Sequence, residues 1–341
     1  MGRDRRALNA AFQYLVMGTI GATFILIGIG FLYMMTGTLN MLDLAARLPE
    51  VSDTRTVRAG FAFLTVGIGL KLAMFPLHLW LPNAYAYAPS AVTAFLAATA
   101  TKVAVYVMLR FMLDVFGADF SLGDMPLNLI LMALGLVGII MASLVAVFQD
   151  DVKRMFAYSS VAQIGYMLLG IGLASATGVG AAILHIFNHA LMKGALFLAL
   201  GAVAYRIGAV TLGDFAGLGK RMPWTMAAIA IGGLSLIGVP PTAGFVSKWY
   251  LVLGTLEQGL WPIAVLILIG SLLALVYVWR LIEAAYFGAV AADAPEVREA
   301  PASMLVPIWI LVAANIYFGI NTDISVGAAM QAATMLMGAG G

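Results

Sequence analysis

Residues 63–111 read FLTVGIGLKLAMFPLHLWLPNAYAYAPSAVTAFLAATATKVAVYVMLRF, an apolar stretch that nevertheless contains two lysines, Lys71 and Lys102. A lysine at the centre of a membrane helix costs about 2.5 to 3.5 kcal/mol. Pro76 and Pro82 follow Lys71, and each removes a backbone donor and interrupts the helix. At membrane depth, a broken helix is tolerated only where it is buried in protein or lines water. The stretch therefore predicts membrane spans that carry charge for a functional reason.

The whole chain has the composition of an integral membrane protein. Its 341 residues are 63% hydrophobic and 10% charged, whereas soluble domains contain about 25% charged residues. The absence of cysteine excludes disulfides and thiolate metal sites. A net charge of +2 is too small to indicate nucleic-acid binding. The basic N-terminal residues precede a long apolar segment without a cleavage site, so a signal peptide is not predicted.

Nine segments have the length and composition of membrane spans, since a helix needs about 20 mostly apolar residues to cross the bilayer. The sequence therefore predicts one all-α membrane domain of about nine transmembrane helices. The predicted spans are 10–35, 59–79, 90–115, 127–148, 156–174, 178–205, 224–256, 260–287 and 304–319. The tail, 324–337, is either a helical extension or irregular chain. A second broken helix is predicted within 224–256, where Pro240, Pro241 and Gly244 lie close together.

Basic residues in the loops predict the orientation of the chain. With nine spans, three basic clusters fall on one side of the membrane, and an acidic loop falls on the other side. The basic clusters are Arg3, Arg5 and Arg6; Lys153 and Arg154; and Arg206, Lys220 and Arg221. Three arginines in the loop 36–58 oppose this pattern. The balance predicts a cytoplasmic N-terminus.

Four lysines fall within the predicted spans: Lys71, Lys102, Lys193 and Lys248. Snorkelling of the long side chain to the headgroups is one explanation for a lysine near a helix end, and it remains open for Lys102. It fits Lys71 poorly, because more than two apolar turns precede that residue and a proline follows. The alternative is that buried lysines take part in a relay.

His185, His189 and Lys193 have the spacing i, i+4 and i+8, which places them on one helix face. Four residues of helix rise about 6 Å, a separation that one water molecule can bridge. Such a column predicts groups that accept and pass protons. Two alternatives remain, namely a metal ion shared by the histidines and histidines that only bond backbone carbonyls. The helix carries no acid and no HExxH motif, so neither a metal nor a cofactor is predicted.

The positions of the acidic residues in the sequence support the same interpretation. None of the 16 Asp and Glu residues lies in the middle of a predicted span. Glu283 comes nearest, and its position three residues after Arg280 predicts an ion pair. Na⁺ and Ca²⁺ sites prefer carboxylate oxygens, so this chain alone favours a proton path over a cation site.

Four stretches resemble, in the same order, motifs of the antiporter-like proton-channel subunits shared by respiratory complex I and the Mrp-type multisubunit Na⁺/H⁺ antiporters, with most similarity to the D subunit of the Mrp antiporters. The stretches are LKLAMFPLHLWLPNAYAYAPSAVTAFLAATATKVAVY (70–106), DDVKRMFAYSSVAQIGYM (150–167), HIFNHALMKGALFLALG (185–201) and GVPPTAGFVSKW (238–249). The resemblance covers nearly the whole chain. It implies part of a fold of fourteen helices with two inverted repeats of five. Residues 1–115 then belong to the first repeat, 127–287 to the second, and 288–341 form a C-terminal loop and helix.

The resemblance also implies roles for individual residues. In the family, the lysine of the first broken helix pairs with a glutamate, and a second lysine follows one helix later. A central column and the second broken helix complete the relay. The matching residues are Lys71, Lys102, His185, His189, Lys193 and Lys248, with His78 as a further candidate.

One feature of the family has no counterpart in this sequence. The glutamate that partners the first lysine lies in a helix before residues 10–35, and about five helices would precede that point. We expect a separately encoded polypeptide, or the remainder of a longer chain, to supply them. The other expected partners are membrane subunits of a hetero-oligomeric complex and the lipid bilayer.

The sequence leaves three functional hypotheses open. The first is a proton-conducting subunit of a Na⁺/H⁺ antiporter in the inner membrane of a bacterial cell. The second is a proton-pumping subunit of complex I or of a membrane-bound hydrogenase, whose redox chemistry would belong to other subunits. The third is a non-conducting scaffold, against which the retention of all four lysines argues.

Overall fold

The computed structural model describes residues 5–208, 210–290 and 297–338, so Arg3 and part of the predicted C-terminal loop lie outside it. The described residues form helices joined by turns and loops. The helices are α1 (Arg5–Thr36), α2 (Met41–Val51), α3 (Arg55–Leu72), α4 (Trp80–Tyr87), α5 (Ser90–Phe95), α6 (Thr101–Leu109), α7 (Leu127–Val147), α8 (Val152–Gly172), α9 (Ala176–Ile207), α10 (Leu218–Arg221), α11 (Pro223–Ile237), α12 (Ala243–Glu257), α13 (Trp261–Phe287), α14 (Ala302–Ile320) and α15 (Asp323–Leu336).

Seven of the described helices are long and apolar enough to cross a membrane, and they correspond to seven of the nine predicted spans. One of them, Ser90–Val115, consists of α5 and α6 joined by a π-helical turn at Leu96–Ala100, and a second π-helical turn at Arg110–Val115 follows α6. Of the remaining two predicted spans, 59–79 contains most of α3 and the break that leads to α4, and 224–256 contains the interrupted pair α11–α12. The fold is therefore all-α and multi-pass, as predicted.

The first break begins earlier than the sequence predicted. Helix α3 ends at Leu72, where Ala73 adopts a left-handed backbone (φ 60°) and its N–H bonds the carbonyls of Gly69 and Leu70. Pro76 lies in the break between α3 and α4. Pro82 lies inside α4, so its predicted place in the break is wrong. A proline fits there because the first turn of a helix has backbone N–H groups without an intrahelical partner.

The second break separates α11 from α12. Gly238 ends α11 with φ 91°, and Pro240 and Pro241 lie in the connecting turn. Gly244 lies in the first turn of α12 rather than in the break, which corrects the prediction. A Cβ atom at Gly244 would come within 1.9 Å of the Ser235 carbonyl oxygen, so glycine is needed for the close approach of the two half-helices.

The loop before α3 contains an additional helix that was not predicted from the sequence. In α2, Leu44 and Leu48 are buried, and the Asn40 side chain caps the helix by accepting from the backbone N–H groups of Leu42 and Asp43. Arg47 donates to the Asp43 carboxylate at 2.8 Å and holds the pKa of that exposed acid below its usual value. The helix has only 11 residues and contains Pro49, so its pattern was too short to recognise.

Glycines bring α7 and α8 into close contact. A Cβ atom at Gly135 would lie 2.8 Å from the Gly165 carbonyl oxygen, and one at Gly165 would lie 2.6 Å from the Gly135 carbonyl oxygen. A Cβ atom at Gly172 would lie 2.8 Å from the Asn128 carbonyl oxygen. Small residues allow membrane helices to approach in this way.

The loop before α14 caps the start of α11. The Glu299 carboxylate accepts from the backbone N–H of Trp224 at 2.7 Å and from the hydroxyl of Thr225 at 2.6 Å. The residue that precedes α11, Met222, has no side-chain acceptor for this purpose. Glu299 therefore satisfies donors that a helix N-terminus leaves free.

Two further predictions concerned the C-terminal tail and the ion pair of Arg280. The tail forms a separate helix, α15, which packs on α9. Arg280 lies 3.4 Å from Asp150 and also donates to the Val147 carbonyl at the end of α7. It therefore pairs with Asp150 rather than with the predicted Glu283.

Candidate functional site

The site is centred on one face of α9. His185, His189 and Lys193 are 3%, 0% and 0% exposed, so the column lies inside the helix bundle. The imidazole rings of His185 and His189 stack with their centroids 5.8 Å apart and their planes 3° from parallel. The helical spacing of these residues therefore produces a continuous buried row.

The two histidines differ in their hydrogen bonds. His185 Nδ1 lies 2.7 Å from the Ser247 hydroxyl of α12, and its Nε2 lies 2.9 Å from Oε1 of Gln163 on α8. Neither ring nitrogen of His189 has a hydrogen-bond partner among the described residues. Buried polar groups normally have partners, so His189 retains hydrogen-bonding capacity inside the protein.

Lys193 is the last residue of the column along α9, and its side chain contacts α8. Its ammonium donates to the Phe156 carbonyl at 2.7 Å and to the Ser159 hydroxyl. It also lies 5.6 Å and 5.8 Å from the ring centroids of Phe156 and Phe197. Within the described part of the chain, oxygen acceptors and aromatic faces therefore surround the Lys193 nitrogen, without a carboxylate.

Lys248 lies against the second break. Its ammonium donates to the last carbonyls of α11, those of Leu236 at 2.8 Å and Ile237 at 3.0 Å, and to the Ser271 hydroxyl at 3.0 Å. It also lies 4.5 Å from the ring centroid of Tyr166. Helix C-terminal carbonyls attract cations, so the break itself provides the binding site for this ammonium.

Two asparagines hold the break in place. Asn315 Oδ1 on α14 accepts from the Ser235 hydroxyl at 3.0 Å and from the Ala243 backbone N–H at 3.1 Å. Asn188 on α9 donates to the Ala243 carbonyl at 2.7 Å. The two half-helices are therefore linked to each other and to the helix that carries the column.

Lys102 is buried and does not snorkel. Its side chain is 5% exposed, and its ammonium donates to the Ala97 carbonyl in the π-helical turn that precedes α6. The same turn packs on α9 beside Lys193, where a Cβ atom at Gly194 would lie 3.7 Å from the Ala98 Cβ atom. The structure therefore brings Lys102 to the column.

Lys71 is exposed, so the predicted burial of this lysine is wrong for the chain described. It lines a cavity of about 570 Å³ between α1, α3 and α6, together with Tyr14, Gly18 and Trp80. Burial of a lysine at the end of α3 depends on what covers this side of the bundle, and sequence patterns within the chain do not contain that information.

His78 lies in the first break and contacts α8. It is 7% exposed, and its ring stacks on Phe75 with a centroid separation of 5.0 Å. Tyr158 of α8 contacts the ring edge-on at 6.4 Å, and His78 Nδ1 has no partner in the described parts of the chain. The residue therefore lies where the predicted two repeats meet.

The uncharged polar residues of the site were not predicted from the sequence. They are Gln163, Ser247, Ser271, Asn188 and Asn315. Their only sequence signal is a polar side chain within an apolar span. Such residues are common between membrane helices because they bond one another or the backbone. This signal is much weaker than that of a buried lysine.

The chain matches a protein-family model at residues 1–274, and the model is described as "NADH:quinone oxidoreductase/Mrp antiporter, TM". The chain belongs to this family. It is therefore related to the antiporter-like membrane subunits of both kinds of complex.

Named relatives in the family include subunits of two kinds of complex. The chain is 44% identical over 331 residues to the N subunit of an NADH-quinone oxidoreductase from Desulforudis audaxviator, and the match covers 94% of the chain and 66% of that protein. It is 31% identical over 323 residues to the D subunit of a Na(+)/H(+) antiporter from Alkalihalophilus pseudofirmus, with 95% and 65% covered. The chain therefore spans about two thirds of the length of these relatives, and they do not favour the antiporter subunit over the oxidoreductase subunit.

A solved structure has the same fold. The chain superposes on a chain of the "Mrp complex" from Dietzia sp. with a TM-score of 0.88 and 26% identity, covering 98% of this chain and 69% of the other. This similarity agrees with an antiporter-like fold and with membership of a multisubunit membrane assembly.

Proposed function

We propose that the chain is a proton-conducting subunit of a multisubunit membrane complex. The observation that carries the proposal is the buried row of basic residues, Lys102, Lys193, His189, His185 and Lys248. These groups lie inside the bundle, and Lys248 lies at the second break. Among the described residues, the row offers successive sites for a proton and no buried carboxylate site for a cation.

The chemistry of the row supports stepwise proton transfer. A lysine or an imidazole can bind and release a proton, whereas arginine remains charged. Carbonyl and hydroxyl oxygens around Lys193 and Lys248 stabilise the ammonium form. The unpartnered nitrogens of His189 provide an acceptor between them. Water molecules would complete the connections that exceed hydrogen-bonding distance.

Lys71 is proposed to meet a carboxylate that lies on a polypeptide segment outside residues 1–341. Its exposure beside an apolar cavity supports this proposal, because an ammonium facing a membrane bundle requires a partner. A separate subunit or a further part of a longer chain would supply the carboxylate. Residues 1–115, 127–287 and 288–341 then act as the two repeats and the C-terminal region.

The complex is proposed to be redox-driven. The chain has 44% sequence identity to the oxidoreductase subunit from Desulforudis audaxviator and 31% to the antiporter subunit from Alkalihalophilus pseudofirmus. The redox chemistry would belong to other subunits. A Na⁺/H⁺ antiporter, predicted from the sequence, is the second candidate, supported by the Mrp fold match. In either case we propose the inner membrane of a bacterial cell, with the N-terminus in the cytoplasm.

Proton conduction can be tested in membrane vesicles that contain the intact complex and a fluorescent pH reporter. Either a reductant or a Na⁺ pulse is applied, and vesicles with wild-type chain are compared with vesicles carrying Lys248→Ala. We expect the wild type to move protons and the variant to be silent at equal amounts in the membrane. Equal proton movement in both would refute the proposed path.

The same assay separates the two candidates. Acidification driven by a reductant, together with flavin or iron–sulfur absorbance in the complex that copurifies with the tagged chain, supports the redox-driven complex. A pH change that depends on Na⁺ but not on a reductant supports the antiporter. The need for the additional helices is tested by asking whether the chain alone conducts in liposomes.

A further inference from the structure

His185 lies between two neutral polar side chains on different helices. Gln163 presents its Oε1 atom to His185 Nε2 at 2.9 Å. A carbonyl-type oxygen only accepts hydrogen bonds, so this contact requires a proton on Nε2. In the neutral imidazole, Nδ1 then has no proton and accepts from the Ser247 hydroxyl at 2.7 Å.

The Ser247 hydroxyl has a second acceptor within reach. The Gly244 carbonyl, three residues earlier in α12, lies 3.3 Å from Ser247 Oγ. Serine in a helix commonly bonds a carbonyl three or four residues earlier. Because the hydroxyl has one proton, it can donate to His185 Nδ1 or to the Gly244 carbonyl, but not fully to both.

We propose that Ser247 is a positioning residue that transmits the protonation state of His185 to the first turn of α12. When His185 gains a proton, its Nδ1–H becomes a donor to Ser247 Oγ. The Ser247 proton then turns to the Gly244 carbonyl. No bond other than hydrogen bonds changes, and the only proton added is the one that His185 accepts. The inference rests on the proposed function only for the assumption that His185 is protonated during turnover.

Gly244 is well placed to pass this change to the break. Its backbone N–H donates to the Ser235 hydroxyl at 3.1 Å, and Ser235 in turn donates to Asn315. Its Cα approaches the end of α11 so closely that a side chain would not fit. A new hydrogen bond at the Gly244 carbonyl therefore acts on the first turn of α12, which packs against the end of α11.

The charged and titratable groups around His185 come from four helices. They are Tyr166 on α8, His189 on α9, Lys248 on α12 and Lys102 on α6. Lys248 directly follows Ser247 in the chain and binds the last carbonyls of α11. Neighbouring residues of α12 therefore act on the two sides of the break, the hydroxyl on the first turn of α12 and the ammonium on the end of α11.

The test is solid-state NMR of the full chain in lipid bilayers with ¹⁵N-histidine labelling, in which the His185 signals are identified by their loss in His185→Gln. At neutral pH we expect a bare Nδ1 that accepts a hydrogen bond and a protonated Nε2. Ser247→Ala should shift the Nδ1 signal towards the value of an unbonded nitrogen, and Ser247→Thr should preserve it. A proton on Nδ1 at neutral pH, or an Nδ1 signal unchanged in Ser247→Ala, would overturn the proposal.

A second label observes the Gly244 carbonyl directly. Combined ¹³C′-glycine and ¹⁵N-phenylalanine labelling selects the Gly–Phe pairs at 30–31, 60–61 and 244–245, so two carbonyls serve as internal controls. On protonation of His185, one of the three signals should shift in the wild type and in Ser247→Thr, but not in Ser247→Ala. Ser325→Ala is the matched control, because Ser325 also bonds a carbonyl three residues earlier, that of Thr322.

Proton flux distinguishes the inference from the proposed function. If the row conducts and Ser247 positions α12, Ser247→Ala lowers flux and Ser247→Thr restores it, while Ser325→Ala retains it. If the NMR changes occur in a complex that conducts no protons, the hydrogen-bond exchange stands and the proposed function fails. Wild-type flux in Ser247→Ala would overturn the positioning role.

Discussion

His185 and His189 stack as parallel rings 5.8 Å apart, yet among the described residues one has partners on both nitrogens and the other has none. This difference arises from the neighbouring helices. Gln163 and Ser247 reach the first ring from α8 and α12, whereas no described side chain reaches either nitrogen of the second ring. A fold selected for stability alone would favour a partner for those nitrogens.

His189→Phe should therefore separate stability from conduction. Phenylalanine retains a ring beside His185 and removes two buried nitrogens, which cost about 1–3 kcal/mol each when unsatisfied. We expect an unchanged or higher thermal unfolding temperature, measured by tryptophan fluorescence in detergent, together with loss of proton flux. Unimpaired flux in this variant would show that His189 is not in the path.

Lys248→Ala and Lys193→Ala should each reduce proton flux by more than about tenfold, which corresponds to about 1.4 kcal/mol in the barrier. Both substitutions remove a proton-binding group from the row. Lys→Arg at either position should also impair flux, because arginine does not release its proton. Lys220→Ala is the control, since Lys220 is exposed at the end of α10. The amount of each variant in the membrane is checked by immunoblot.

Asn315→Leu should loosen the second break. The substitution removes the acceptor for the Ser235 hydroxyl and for the Ala243 backbone N–H, and a buried donor without an acceptor costs about 1–3 kcal/mol. We expect a lower unfolding temperature than in Asn321→Leu, where the asparagine is exposed and its side chain bonds only the Tyr317 hydroxyl among the described residues. Equal temperatures for the two variants would contradict a role for Asn315 in holding the break.

Glu299→Ala should destabilise the start of α11 by about 0.5–2 kcal/mol, the usual cost of removing a helix cap. Glu299 lies in a loop, and its carboxylate reaches the backbone of Trp224 and the hydroxyl of Thr225. Glu283→Ala, at an exposed position of α13, is the control. Faster hydrogen exchange at the first amides of α11 in the Glu299 variant alone would support the cap, and equal exchange in both would refute it.

Gly165→Ala should force α7 and α8 apart. The added Cβ atom would lie 2.6 Å from the Gly135 carbonyl oxygen, and overpacking costs about 1–3 kcal/mol. Gly327→Ala, in α15 with open space around it, should instead leave stability unchanged or gain up to about 1 kcal/mol from helix propensity. We therefore expect Gly165→Ala to lower the unfolding temperature and Gly327→Ala to leave it unchanged or raise it. A similar change in both variants would argue against the contact.

Charges and prolines made much of this fold predictable. The apolar segments indicated nine spans, and Pro76, Pro240 and Pro241 located both breaks. The exposure of Lys71 was not predictable, because burial depends on which helices cover a face. The polar partners Gln163, Ser247 and Asn315 were also missed, since an uncharged polar residue is inexpensive in a membrane bundle and its role depends on three-dimensional proximity.

The glycine contacts hold α7 and α8 together, so some groups of the buried row have partners on a fixed helix and others have partners on helices that can move. The partners of Lys193, together with Gln163, belong to α8, which is locked to α7 by backbone contacts. Ser247 and the carbonyls around Lys248 belong to the two half-helices of the break. Rearrangement during a transport cycle should therefore occur at α11 and α12, with α7 and α8 acting as the stationary frame against which the proton sites are displaced.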